Sequence, residues 1–151
     1  MALKETPDTV QWPETHYVFL EKIGSIPQNA PQAWQEFHKF MPELQARNQV
    51  TGAMSLYRMG PEIYRAGYRL AAPPAELPAG LRYEKFAGGK YTRFVLKGPY
   101  TQLGPATGRV MQLAAEQRIP LRDDFNIENY VNDPSKTPEA ELITEILIPI
   151  A

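Results

Sequence analysis

The chain repeats itself at about half its length, and this limits its fold more than any other feature. Tyr17-Val-Phe-Leu-Glu-Lys-Ile-Gly24 and Tyr91-Thr-Arg-Phe-Val-Leu-Lys-Gly98 are runs rich in aromatic and β-branched residues that open on Tyr and close on Gly, 74 residues apart (91 − 17). The segment Tyr57…Pro61 falls on Tyr130…Pro134 at a shift of 73 (130 − 57), a difference that one loop residue produces. Such runs form strands, and glycine ends them. A chain of 151 residues is long enough for one domain with a real core and too short for two ordinary ones. Two like halves must therefore share one fold.

In the first half, the strand Tyr17–Ile23 gives way to a three- and four-residue spacing of Ala33, Trp34, Phe37, Met41 and Leu44. That spacing predicts an amphipathic helix, opened by Asn29 and Pro31 and kinked or ended by Pro42. Residues 52–59 and 64–70 read as a hairpin turning at Gly60-Pro61. Residues 71–80 carry too much proline for a sheet ladder and are read as a linker. In the second half, the strand 90–97 is followed by a helix over 103–117 with Leu103, Ala106, Val110, Leu113 and Ala114 on one side. The Asn126–Pro134 stretch and a last strand, 142–149, complete it.

The expected fold is α+β: duplicated βαββ units forming one antiparallel sheet with two main helices, and a ligand crevice between the repeats. The single domain spans 1–151, with repeat one at about 12–70, a linker at 71–82 and repeat two at about 83–151.

Within Asn126-Ile-Glu-Asn-Tyr-Val-Asn-Asp-Pro134 the alternation of an extended chain puts Glu128 and Tyr130 on one face and Ile127, Asn129 and Val131 on the other. Two readings are open. Glu128 either sits on a solvated sheet face, where most glutamates lie, or lines a cavity with an aromatic beside it. The second arrangement suits a cationic, apolar ligand or an activated water. On the repeat alignment Ser55 takes the place of Glu128, so the acid stands on one side only.

The net charge is −1 and the basic residues are scattered, so no electrostatic footprint of a nucleic-acid binder exists and direct DNA binding is not expected. The absence of cysteine excludes disulfides, a thiol nucleophile and cysteine-based zinc sites. His16 and His38 are the only histidines and are read as surface residues, so no metal and no cofactor is expected. Gly88-Gly89-Lys90 lacks the upstream glycine and the Ser or Thr of a phosphate loop and reads as a β-turn. No apolar run spans a bilayer and the first residues do not form a signal peptide, so a cytoplasmic location and no membrane partner are expected.

Four motifs carry a resemblance: Ala87-Gly-Gly-Lys-Tyr91, Lys97-Gly-Pro-Tyr100, Glu128-Asn-Tyr130-Val-Asn132-Asp-Pro134, and the tail from Thr137-Pro-Glu139 through Glu141-Leu-Ile-Thr-Glu-Ile to Ile148-Pro149. Together they resemble the GyrI-like small-molecule-binding family, which is similar to the effector-binding domains of AraC-type and multidrug-responsive bacterial regulators. The resemblance implies the duplicated βαββ fold, a pocket between the repeats, and a pocket acid at Glu128. Aromatic ligand contacts are then expected from Trp34, Tyr57, Tyr64, Tyr68, Phe94, Phe125 and Tyr130. Leu147 departs from the tyrosine that the family often carries there, so ligand identity does not transfer.

Two functions follow from the resemblance. One is binding of a hydrophobic, cationic or polarised small molecule, for sequestration or sensing. The other is hydrolysis of cyclopropane-bearing alkylating compounds, with Glu128 as the catalytic group that orients water. A protein partner is a third reading, suggested by the family's name, to which the surface composition gives no support.

Overall fold

Alternating large side chains build an eight-stranded sheet, four strands from each of two compact units, and each set of four buries one face under helix. In the computed structural model, which describes residues 1–151, the chain divides into two compact units. One unit comprises Pro13–Gly88 and the other Met1–Trp12 together with Gly89–Ala151. Every strand pair described below is antiparallel, so the α+β class with antiparallel strands, expected from the sequence, is what the structure shows.

The unit Pro13–Gly88 contains β2 (Thr15–Ile23), α1 (Ile26–His38), α2 (Met41–Arg47), β3 (Val50–Arg58), β4 (Ile63–Leu70) and β5 (Arg82–Phe86), with strands in the order β3-β4-β2-β5. Helix α1 starts earlier than the spacing alone predicts, directly after Ser25, because Pro27 sits in its first turn, where a missing N–H costs nothing. The same rule applies to Pro42. It does not kink a long helix; it lies in the first turn of α2, and α1 has already ended at His38. Val18, Tyr64, Ala66 and Tyr68 of the sheet pack with Ala33, Phe37 and Leu44 of the helices into one buried cluster.

The other unit contains β1 (Ala2–Trp12), β6 (Gly89–Lys97), α3 (Leu103–Glu116), β7 (Asn126–Tyr130) and β8 (Ile143–Pro149), in the order β1-β6-β8-β7. The first twelve residues look like a polar leader in sequence. They form an edge strand instead, pairing with β6 from Ala2↔Lys97 to Trp12↔Gly89, with an irregularity between Lys4 and Asp8. Phe94, Leu96, Ile146 and Ile148 form the sheet side of the core, and Ala106, Val110 and Leu113 of α3 the helix side. A tight turn at Tyr100–Gln102 leads into α3.

Candidate functional site

Cross-strand register decides which face Glu128 occupies. Residues directly opposite in an antiparallel pair point to the same face. Glu128 lies opposite Ile146, and Ile146 opposite Phe94; Tyr130 lies opposite Thr144, and Thr144 opposite Leu96. Phe94, Leu96 and Ile146 belong to the core that α3 covers. Glu128 and Tyr130 are therefore on the face of β7 that lies on the same side as the core under α3. Ile127 and Asn129 lie on the opposite face, as alternation predicts.

Both site residues are half-buried. The Tyr130 hydroxyl donates to Glu128 Oε1 at 2.9 Å. Burial raises the Glu128 pKa above the ordinary carboxylate value, and the Tyr130 hydrogen bond opposes part of that rise. The ring of Tyr100, from the turn before α3, meets the Tyr130 ring edge-on, with centroids 5.4 Å apart at 62°. Burial, and secondarily the Asp133 charge, raise the Tyr100 pKa. Asp133 is itself held ionised by hydrogen bonds from the Ser135 hydroxyl and backbone N–H. Thr144, opposite Tyr130, is fully buried and its hydroxyl has no hydrogen-bond partner.

Phe94 and Phe125 complete the predicted residues of this unit. Phe94 is fully buried in the core beneath α3, within the Phe94–Ile146–Glu128 row. Phe125 precedes β7, and its carbonyl accepts the Tyr91 hydroxyl at 2.8 Å, which anchors the start of the strand that carries Glu128. Glu145 points to the opposite face, where it takes a hydrogen bond from Asn129 at 2.7 Å and pairs with Arg93 at 3.3 Å.

The other predicted aromatics gather within the unit Pro13–Gly88, again on its helix-bearing face. The Trp34 indole N–H is 3.1 Å from Ser55 Oγ and 2.9 Å from the Tyr64 hydroxyl, and those two oxygens are 2.7 Å apart. Tyr57 stacks on Tyr64 at 6.3 Å, and Tyr68 meets Phe37 edge-on while accepting a hydrogen bond from Gln45 at 2.7 Å. Ser55, the counterpart of Glu128 in the repeat alignment, thus belongs to a neutral hydrogen-bonded triangle. The eight predicted residues form two groups, four in each unit.

Sequence reading missed Tyr100 and Thr144. Tyr100 had a signal, the Gly98-Pro99-Tyr100 strand end, but only the folded chain brings it to a tyrosine 30 positions later (130 − 100).

No helix is long and apolar enough to cross a membrane. No curated protein matches the chain. Among solved structures, the EcmrR C-terminal domain is similar over 100% of this chain and 99% of its own length, at 16% identity and a TM-score of 0.79. SAV2435, in a structure bound to tetraphenylphosphonium, matches 97% of this chain and 94% of its own, at 17% identity and a TM-score of 0.77. A hydrolase from Listeria innocua matches 98% of this chain and 93% of its own, at 12% identity and a TM-score of 0.59. At these identities the likeness is one of fold. The sequence itself matches the GyrI-like small molecule binding domain over residues 5–151, nearly its whole length, and the chain belongs to that family.

Proposed function

We propose that this GyrI-like domain binds hydrophobic cations, for drug or toxin sequestration or sensing, and that Glu128 supplies the charge. The observation that carries the reading is a half-buried carboxylate whose one oxygen is held by Tyr130, with a second tyrosine ring against the first. A carboxylate that burial leaves poorly solvated gains more from a cation than one in water does. Cation–π contacts with the tyrosine rings add about 0.5–2 kcal/mol each. The tetraphenylphosphonium bound by SAV2435 is a cation of this class.

The test is a fluorescence titration with proflavine, a flat cation, and with a neutral aromatic of similar size. Glu128→Gln should weaken proflavine binding by about tenfold or more, which is at least about 1.4 kcal/mol, and leave the neutral ligand within about twofold. Equal proflavine affinity in wild type and variant would remove Glu128 from the site. Wild-type affinity should also fall as acidification protonates Glu128, since only the carboxylate attracts the cation.

A second reading rests on the same raised Glu128 pKa, which moves the group toward what a general base needs near neutral pH. In this reading Glu128 takes a proton from a water that opens a strained alkylating ring. Single-turnover decay of a cyclopropane-bearing substrate, abolished by Glu128→Gln in a folded protein, would support turnover. Decay no faster than in buffer would leave binding as the function.

A further inference from the structure

We propose that Tyr100 is a positioning residue: its ring fixes Tyr130 in the orientation that keeps the Tyr130 hydroxyl on Glu128. Tyr130 is the last residue of β7, separated from Asn132-Asp133-Pro134 by Val131 alone, whose N–H still donates to the Ile143 carbonyl at 3.0 Å. Opposite Tyr130 on β8 stands Thr144, a short side chain. Tyr100 adds a ring contact from outside the β7–β8 pair. Its ring lies 5.4 Å from that of Tyr130 at 62°, the edge-to-face arrangement that aromatic quadrupoles favour.

Tyr100 is in turn set by its own segment. Pro99 is extended, at φ −67° and ψ 153°, and caps the turn Tyr100–Gln102 that leads into α3. Gly98 before it has φ 142°, in the region that side-chain-bearing residues avoid, and its N–H donates to the Leu142 carbonyl at 2.8 Å. The turn is therefore tied to the segment entering β8, next to the strand that pairs with β7. A rigid turn presents one ring, that ring holds a second, and the second carries the hydroxyl that touches Glu128.

Glu128 shares its face with Tyr130 on its own strand and with neutral Thr144 and Ile146 on β8, and Tyr100 reaches Tyr130 from the turn. Asp133 acts on Tyr100.

The test reads the ionisation of Glu128 directly, by 13C NMR titration of its carboxyl carbon in the ligand-free protein. Tyr130→Phe removes the donated hydrogen bond and should move the Glu128 midpoint to higher pH. Tyr100→Leu keeps apolar bulk but removes the ring, and should shift the midpoint in the same direction. Tyr100→Phe keeps the ring and should leave it in place. In a Tyr130→Phe background, Tyr100→Leu should add nothing, because the bond it positions is already gone. A Tyr100→Leu midpoint equal to wild type would overturn the proposal. So would a shift to lower pH in both backgrounds, which would mean that Tyr100 merely shields Glu128 from water. The titration needs no ligand, so its outcome is distinct from whether the domain binds cations.

Discussion

Glu128 shows how one half-buried side chain acts on the stability of the folded chain. Its pKa is raised in the folded protein, chiefly by burial, so the native state binds the proton more tightly than the unfolded state. Ionised Glu128 therefore works against folding above its native pKa, and acidification through that pKa relieves the conflict. Chemical denaturation should find Glu128→Gln more stable than wild type at neutral pH, with the difference narrowing as the pH falls toward the ordinary glutamate value. A variant less stable than wild type at neutral pH would mean that the carboxylate holds the fold together. The pairing of Glu128 with Tyr130 was legible in sequence, because alternation alone puts residues two apart on one face. The face itself was not legible. A strand has two sides, and only the register Glu128↔Ile146↔Phe94 ties this side to α3.

At the level of elements, β2 and β4 show how a missing side chain can organise a sheet. Phe19 lies opposite Gly67, and the Arg65 guanidinium stands 4.3 Å from the centre of the Phe19 ring while pairing with Glu21 at 2.8 Å and Glu84 at 2.7 Å. A Cβ at Gly67 would come within 2.2 Å of the Val18 carbonyl oxygen and 2.8 Å of Phe19 Cβ. Backbone and ring would have to move apart, disturbing the β2–β4 ladder. Gly67→Ala should cost about 3 kcal/mol, the upper range for overpacking, and lower the thermal midpoint accordingly. A change below about 0.5 kcal/mol would show that the strands can shift without penalty. The existence of β2, β4, β6 and β8 was readable from β-branched and aromatic runs. The start of α1 and the place of Pro42 differ from the spacing-based expectation, because a proline marks a helix start as readily as a helix end.

The division of the whole chain does not follow the order of the chain. β1 belongs with Gly89–Ala151: Leu3 packs on the core under α3, and Glu5 pairs with Arg109 of that helix at 2.9 Å. Deleting residues 1–12 would strip β6 of its edge partner. Hydrogen exchange should then speed up by about tenfold or more in the β6 amides that face β1, a change of about 1.4 kcal/mol in local opening. Amides in the β3–β4 ladder, within Pro13–Gly88, should change far less. Equal acceleration in both ladders would mean that the two units open together.

The sequence by itself determined the α+β class, most strands and helices, and the family, because these rest on local periodicity and on short motifs whose order survives without three-dimensional context. It also singled out Glu128 with Tyr130. Tertiary structure alone decided that residues 2–12 form a strand, since their polar pattern is that of an edge and only β6 pairs it. It alone brought Tyr100 to Tyr130 and joined Trp34, Ser55 and Tyr64 through hydrogen bonds. The physical reason is the same in each case: alternation and spacing give a side chain's direction along its own element, whereas its neighbours come from strands and turns distant in sequence.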